Sequence, residues 1–132
     1  MHITLEADYA VRIVNCLVES GSRLDAKTIS ERTDVTLRFS LKILRKLVAD
    51  GIVKSFKGTQ GGYELARPAS EISIGDVIEA VEGEIAISRC TKDGFECNRK
   101  NKSTPCKFQK IYREISCDVQ RKLKSLTFDK IK

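Results

Sequence analysis

The chain contains no tryptophan, and phenylalanine and tyrosine bring its aromatic content to only 6%. Its single histidine, His2, stands next to the first residue, and no nucleophile–base constellation can be assembled around it. That removes the common hydrolytic and acyl-transfer chemistries and points away from an enzyme. No stretch approaches the roughly 18 apolar residues of a membrane span, and the opening residues lack a secretion-signal pattern. The expectation is a cytoplasmic protein with no membrane partner and no small-molecule substrate. In that reducing setting, five cysteines suggest metal or redox chemistry ahead of structural disulfides.

What is present fits one compact unit with an appended element. The 132 residues are 41% apolar, enough for a core, and the formal charge of +6 favours an anionic partner. The charge is uneven. Residues 1–83 carry eleven basic against twelve acidic side chains, yet Thr36 to Arg67 holds seven Lys/Arg against Asp50 and Glu64. A local cationic excess inside a neutral region is an electrostatic footprint for phosphate.

That basic stretch has a recognisable form. Thr36 is placed to cap a helix in which Leu37, Leu41, Leu44 and Val48 recur at helical spacing, with Ile43 and Leu47 widening the stripe. Arg38, Lys42, Arg45 and Lys46 fill the opposite arc, and Gly51 ends the helix. Residues 52–56 then read as a strand, Gly58-Thr59-Gln60-Gly61-Gly62 as a loop, and Tyr63-Glu64-Leu65 as the returning strand. Asp25 caps a short helix from Ala26 to Arg32, and Asp34-Val35 turns into the basic helix. Short helix, tight turn, longer helix and glycine-tipped hairpin together suit a winged helix-turn-helix. Such a helix enters the DNA major groove, and the hairpin lies on the backbone or in the minor groove. A surface helix with an ordinary solvated charge face is the competing reading.

On either side, further helices are expected. Leu5 to Ser20 is amphipathic, with Cys16 on its apolar face as a packing thiol. Ser73 caps Ile74 to Glu82, and Gly83 stops it. Glu84 to Ile87 reads as a short extended piece, and residues 88–105 then lose apolar periodicity, which in a loop of this length marks function or disorder. From about Cys106 to Leu126 a final helix, opened by Ser103-Thr104-Pro105, carries Phe108, Ile111, Tyr112, Ile115, Val119, Leu123 and Leu126 on one arc. An apolar stripe of that length either packs along its own domain or pairs with a second copy, and a homodimer also suits two-fold DNA. The divisions expected are 1–83, 84–105 and 106–132.

Cys90, Cys97 and Cys106 are spaced C-x6-C-x8-C across the loop, among seven basic residues against Asp93 and Glu96 between Arg89 and Lys110. A cationic setting favours thiolates and offsets a thiolate-ligated metal group. Zinc, an iron–sulfur cluster and free redox thiols are all compatible with the spacing. Cys117, eleven residues beyond Cys106, would lie about 16 Å away along one helix, too far to share a site.

Laid out in this way, the chain resembles the Rrf-two family of bacterial winged-helix regulators, the IscR, NsrR and CymR type. Residues 6–12, EADYAVR, resemble the family's opening; residues 38–44, RFSLKIL, its DNA-reading helix; residues 57–67, KGTQGGYELAR, its wing. The resemblance implies a mainly α-helical repressor with a small β-hairpin wing and a long C-terminal dimerisation helix, bound to near-palindromic double-stranded operator DNA. It places Thr36, Arg38, Phe39, Ser40 and Lys42 on the reading helix and Lys57 and Gln60 in the wing. It also implies that Cys90, Cys97 and Cys106 hold an iron–sulfur cluster, [4Fe-4S] favoured and [2Fe-2S] possible. Asp8 of a partner's first helix is the implied fourth ligand, against a plain salt pair with Arg12. Gln109 stands where other members have a histidine. A metal-free or zinc-binding thiol regulator of the same fold is the alternative.

Overall fold

The computed structural model describes residues 2–92, 94–100 and 102–131. Asp93, one of the two acids counted in the cysteine loop, lies outside them. Helix α1, Leu5–Ser20, is capped by the Thr4 hydroxyl accepting from the Ala7 amide at 3.2 Å and ends at left-handed Gly21. Ala7, Ala10, Ile13, Val14 and Leu17 make its buried face, which packs on α2 (Ala26–Thr33), α3 (Leu37–Ala49) and α4 (Ile74–Glu82). Small Ala7 and Ala10, fully buried, allow the helices to approach closely. Cys16 faces the core, and burial pushes its thiol above the ordinary value, against the nearby charge of Arg32.

Each helix begins where its capping residue stands. The Asp25 carboxylate accepts from the Thr28 amide at 2.7 Å, and the Thr36 hydroxyl from the Phe39 amide at 3.2 Å. Ser73 and Asp76 form a reciprocal capping box at 3.0 and 2.9 Å. Between α2 and α3, Asp34 takes the left-handed conformation and Val35 is buried. The Val35 carbonyl accepts from two serines, Ser30 on one helix and Ser40 on the next, which fixes the turn.

The hairpin pairs β1 (Val53–Phe56) with β2 (Gly62–Leu65) antiparallel, Val53 opposite Leu65 and Phe56 opposite Gly62. A third rung comes from before α2. Leu24 and Tyr63 exchange amide–carbonyl bonds at 2.9 and 2.7 Å. Gly62 is required there: its φ is +140°, and a Cβ would stand 2.6 Å from the Leu24 carbonyl oxygen.

The last helix, α5 (Lys107–Ser125), starts one residue later than its composition suggested, with Cys106 as its cap. Ser103, Thr104 and Pro105 lie outside it. The chain does not stop being structural at its end. Leu126 accepts from Ile74, and Phe128 donates to Ile72 at 3.0 Å while its ring enters the core at 2% exposure. Phe128 thereby joins the body that residues 1–83 begin.

Candidate nucleic-acid interface and cysteine loop

Helix α3 buries Ser40, Ile43, Leu44 and Leu47. Its open arc carries Leu37, Arg38, Leu41, Lys42 and Arg45, which with Thr36 and Phe39 rim a surface depression of about 750 Å³. The assignment of Leu37 and Leu41 to the buried stripe is corrected: they are 46% and 41% exposed. The wheel fixes only relative angles, and the packing of α1 and α4 against Ile43, Leu44 and Leu47 decides which arc is covered. Lys46 is corrected as well. Its Nζ reaches the Glu6 carboxylate at 2.7 Å and the Val81 carbonyl at 3.2 Å, tying α3 to α1 and α4.

Among the residues expected on DNA, Thr36, Arg38, Lys42, Lys57 and Gln60 are exposed. Ser40 is not. It is fully buried, with its hydroxyl on the Val35 carbonyl at 3.4 Å, so it cannot meet a base. Phe39 is half-buried and stands edge-on to Tyr9, ring centroids 5.4 Å apart, which makes it a joint between α3 and α1. Arg23 was not foreseen in the wing. Its guanidinium lies 3.4 Å over the Phe56 ring and donates to the Gln60 carbonyl at 2.9 Å, setting the loop that carries Lys57.

The cysteine segment is laid along α5. Gln109 donates to the Cys90 carbonyl at 2.8 Å, the Ser116 hydroxyl accepts from the Ile87 amide at 3.0 Å, and Gln120 donates to the Ile85 carbonyl. Cys90 Sγ sits 3.0 Å from the Ser88 hydroxyl. At the cap of α5, the Gln109 amide holds the Cys106 thiol below its ordinary value, helped by the Phe108 amide and the charge of Arg99 and opposed by partial desolvation. This setting favours the thiolate form of Cys106.

Asp8 is elsewhere, on α1, in an ion pair with Arg12 at 2.8 Å and with both side chains about half open to solvent. Among the described residues no three His, Cys, Asp or Glu side chains are gathered closely enough to hold a metal ion. The donor chemistry of Cys90, Cys97 and Cys106 suits a thiolate-ligated group, whereas their placement in one chain does not bring them together with each other or with Asp8.

A body of four helices with α3 as its recognition helix, a three-rung wing and an appended amphipathic helix defines the class: a winged-helix DNA-binding regulator. The chain belongs to the Rrf2 family, described as iron-dependent transcriptional regulators, whose pattern matches residues 3–132. It is 30% identical to the rrf2 protein of Nitratidesulfovibrio vulgaris over 129 residues, 96% of this chain and 84% of that one. It is 29% identical to the transcriptional regulator IscR of Escherichia coli over 133 residues, 99% of this chain and 80% of that one. In fold it matches CymR, the global cysteine regulator of Bacillus subtilis, with a TM-score of 0.77 at 21% identity, covering 98% and 94% of the two chains. The family's members are DNA-binding transcriptional regulators and not enzymes. No helix among the described residues is long and apolar enough to cross a membrane.

Proposed function

We propose that this chain is a cytoplasmic, homodimeric repressor that reads a near-palindromic operator and answers to the state of Cys90, Cys97 and Cys106. The observation that carries the reading is the open cationic arc of α3 beside the Arg23-braced wing. Arg38 and Lys42 face the bases, Thr36 the backbone, and Lys57 and Gln60 the flanking phosphates or minor groove. Two copies joined along α5 present two such arcs to a two-fold site.

In this reading the three thiols, with Asp8 of the partner subunit as a further oxygen donor, hold an iron–sulfur cluster, [4Fe-4S] ahead of [2Fe-2S]. Such a cluster supplies a group whose charge and integrity change with oxidants, nitric oxide or iron supply. Gln109 and Ser116 then transmit any change at Cys90 to α5, because they bond the segment directly. A ligand that stabilises one arrangement of the two recognition helices shifts DNA affinity, and DNA shifts ligand affinity by the same factor.

The second reading is a metal-free thiol switch, favoured by the lowered Cys106 thiol at the head of α5. Anaerobic purification decides between the two. A brown protein that loses its colour in each of Cys90→Ser, Cys97→Ser and Cys106→Ser supports the cluster. A protein still colourless after reconstitution with iron and sulfide, yet losing operator binding on mild oxidation, supports the thiol switch.

A further inference from the structure

The open arc of α3 carries two leucines that a phosphate-binding face has no use for. Leu37 and Leu41 lie one helical turn apart at 46% and 41% exposure, with Arg38, Lys42 and Arg45 beside them around the same depression. Single exposed leucines are ordinary, but two adjacent ones bordered by Arg38, Lys42 and Arg45 form a small apolar strip with a positive rim. That rim opposes a basic or purely apolar protein partner and complements DNA. Within the major groove the apolar group offered to a side chain is the C5-methyl of thymine. The leucines also sit in the first turns of α3, the part of a recognition helix that approaches base edges. Side chains one turn apart are about 5–6 Å from each other, against a base-pair rise of about 3.4 Å, so the two reach bases one or two steps apart.

We propose that Leu37 and Leu41 set part of the operator preference by packing on thymine methyl groups, with Arg38, Lys42 and Arg45 holding the helix in the groove. This rests on α3 being the element that enters the major groove. It shifts part of the sequence reading from the charged residues to the apolar ones.

The test uses the full chain and a duplex enriched by it from a random double-stranded library made with thymidine. The same duplex is then synthesised with deoxyuridine in place of thymidine, which deletes only the methyl groups. Each methyl packed against a leucine should contribute about fourfold in affinity, so the deoxyuridine duplex should bind the wild type roughly fifteenfold more weakly. Leu41→Ala should lose affinity for the thymidine duplex and lose most of that discrimination. Leu37→Ala should do the same to a similar extent, and Leu41→Met should restore both. Both positions are open to solvent, and unchanged circular dichroism checks the fold.

Wild-type indifference to the methyl groups overturns the proposal, as does full discrimination retained in both alanine variants. In either case a loss of binding in Arg38→Ala leaves α3 as the reading helix. If Arg38→Ala, Lys42→Ala and Leu41→Ala all bind as wild type, α3 is not in the groove and the underlying reading falls too. A Leu41→Ala chain with unchanged DNA affinity but altered assembly would mark the strip as a protein contact and overturn the proposal.

Discussion

Helices α3 and α5 are both amphipathic and both rich in lysine and arginine, yet they differ in what covers their apolar sides. In α3, Ile43, Leu44 and Leu47 are fully buried by the chain's own body. Among the described residues of α5 the buried one is a serine, Ser116, while Phe108 is 63% exposed and Ile111, Ile115 and Val119 stand open as well. Of its apolar stripe, the body covers the last turn, where Leu123 meets the core and Lys124 bonds Asp76 and Glu79 at 2.8 and 2.7 Å. One helix is finished by its own fold, whereas the other carries an apolar face that its own fold leaves bare. A stripe of this size is normally covered, and in the proposed dimer a second α5 covers it.

The sharpest way to break that contrast is Val119→Asp. In the proposed dimer it buries an unpaired charge, which costs about 3–5 kcal/mol. Because Val119 is 36% exposed in the single chain, the monomer should keep its fold. Light scattering should report monomers with native circular dichroism, and a stable dimer would place the seam elsewhere. Next comes Leu44→Ala, on the finished helix. Removing a fully buried leucine should cost about 3 kcal/mol in urea unfolding, whatever the protein concentration. Ile111→Ala should instead produce a loss that fades on dilution. If both losses respond alike to dilution, the distinction between the helices fails.

A smaller effect tests the clamp that joins α5 to the body. Partial burial pushes the Asp76 carboxyl upward, but Lys124 and the Ser73 amide and hydroxyl outweigh it, and the group ends below the usual carboxylate range. Its contribution is fully present above the unfolded value of about 3.9 and is lost as pH falls through the lower folded value. Lys124 is raised despite burial, so its share is present at neutral pH and lost only at strongly alkaline pH. These groups are partly exposed, so Asp76→Asn should remove about 1 kcal/mol at neutral pH and flatten acid unfolding below about pH 4. Equal acid sensitivity in the two chains would remove the clamp from the account. The smallest effect at fixed salt belongs to Lys57→Ala, beyond the edge of α3. It should lower the slope of log affinity against log salt by about one unit, and an unchanged slope would take the wing off the phosphates.

Much of this was legible because the caps are written into the chain. Asp25, Thr36 and Ser73 each announced the helix that follows, and Gly21 and Gly83 marked the ends of α1 and α4. The wing was legible from its glycines. The direction in which α3 faces was not, since Leu37 and Leu44 look alike on a wheel until α1 and α4 choose between them. Ser40 was misplaced for the same reason: a small hydroxyl beneath a turn reads in sequence as a surface residue. Leu24, Arg23 and Phe128 act as single residues with no periodic neighbours, so no pattern could mark them. The cysteines were found by type and spacing, but spacing carries no information on whether a loop closes.

The attachment of α5 at one end has a mechanical consequence. Lys124 packs so tightly on Gly75 that a Cβ there would stand 3.1 Å from its backbone nitrogen and side chain, while Cys106 heads the far end. Nineteen residues make a rod of about 28 Å, so a tilt of about 5° at the Gly75 joint swings the cysteine end by roughly 2.5 Å. Read in the other direction, the same rod is a reduction gear. On the proposed function, a sulfur atom must travel ångströms to turn the DNA-binding body by a few degrees, and small jostling of the loop is filtered out before it arrives there.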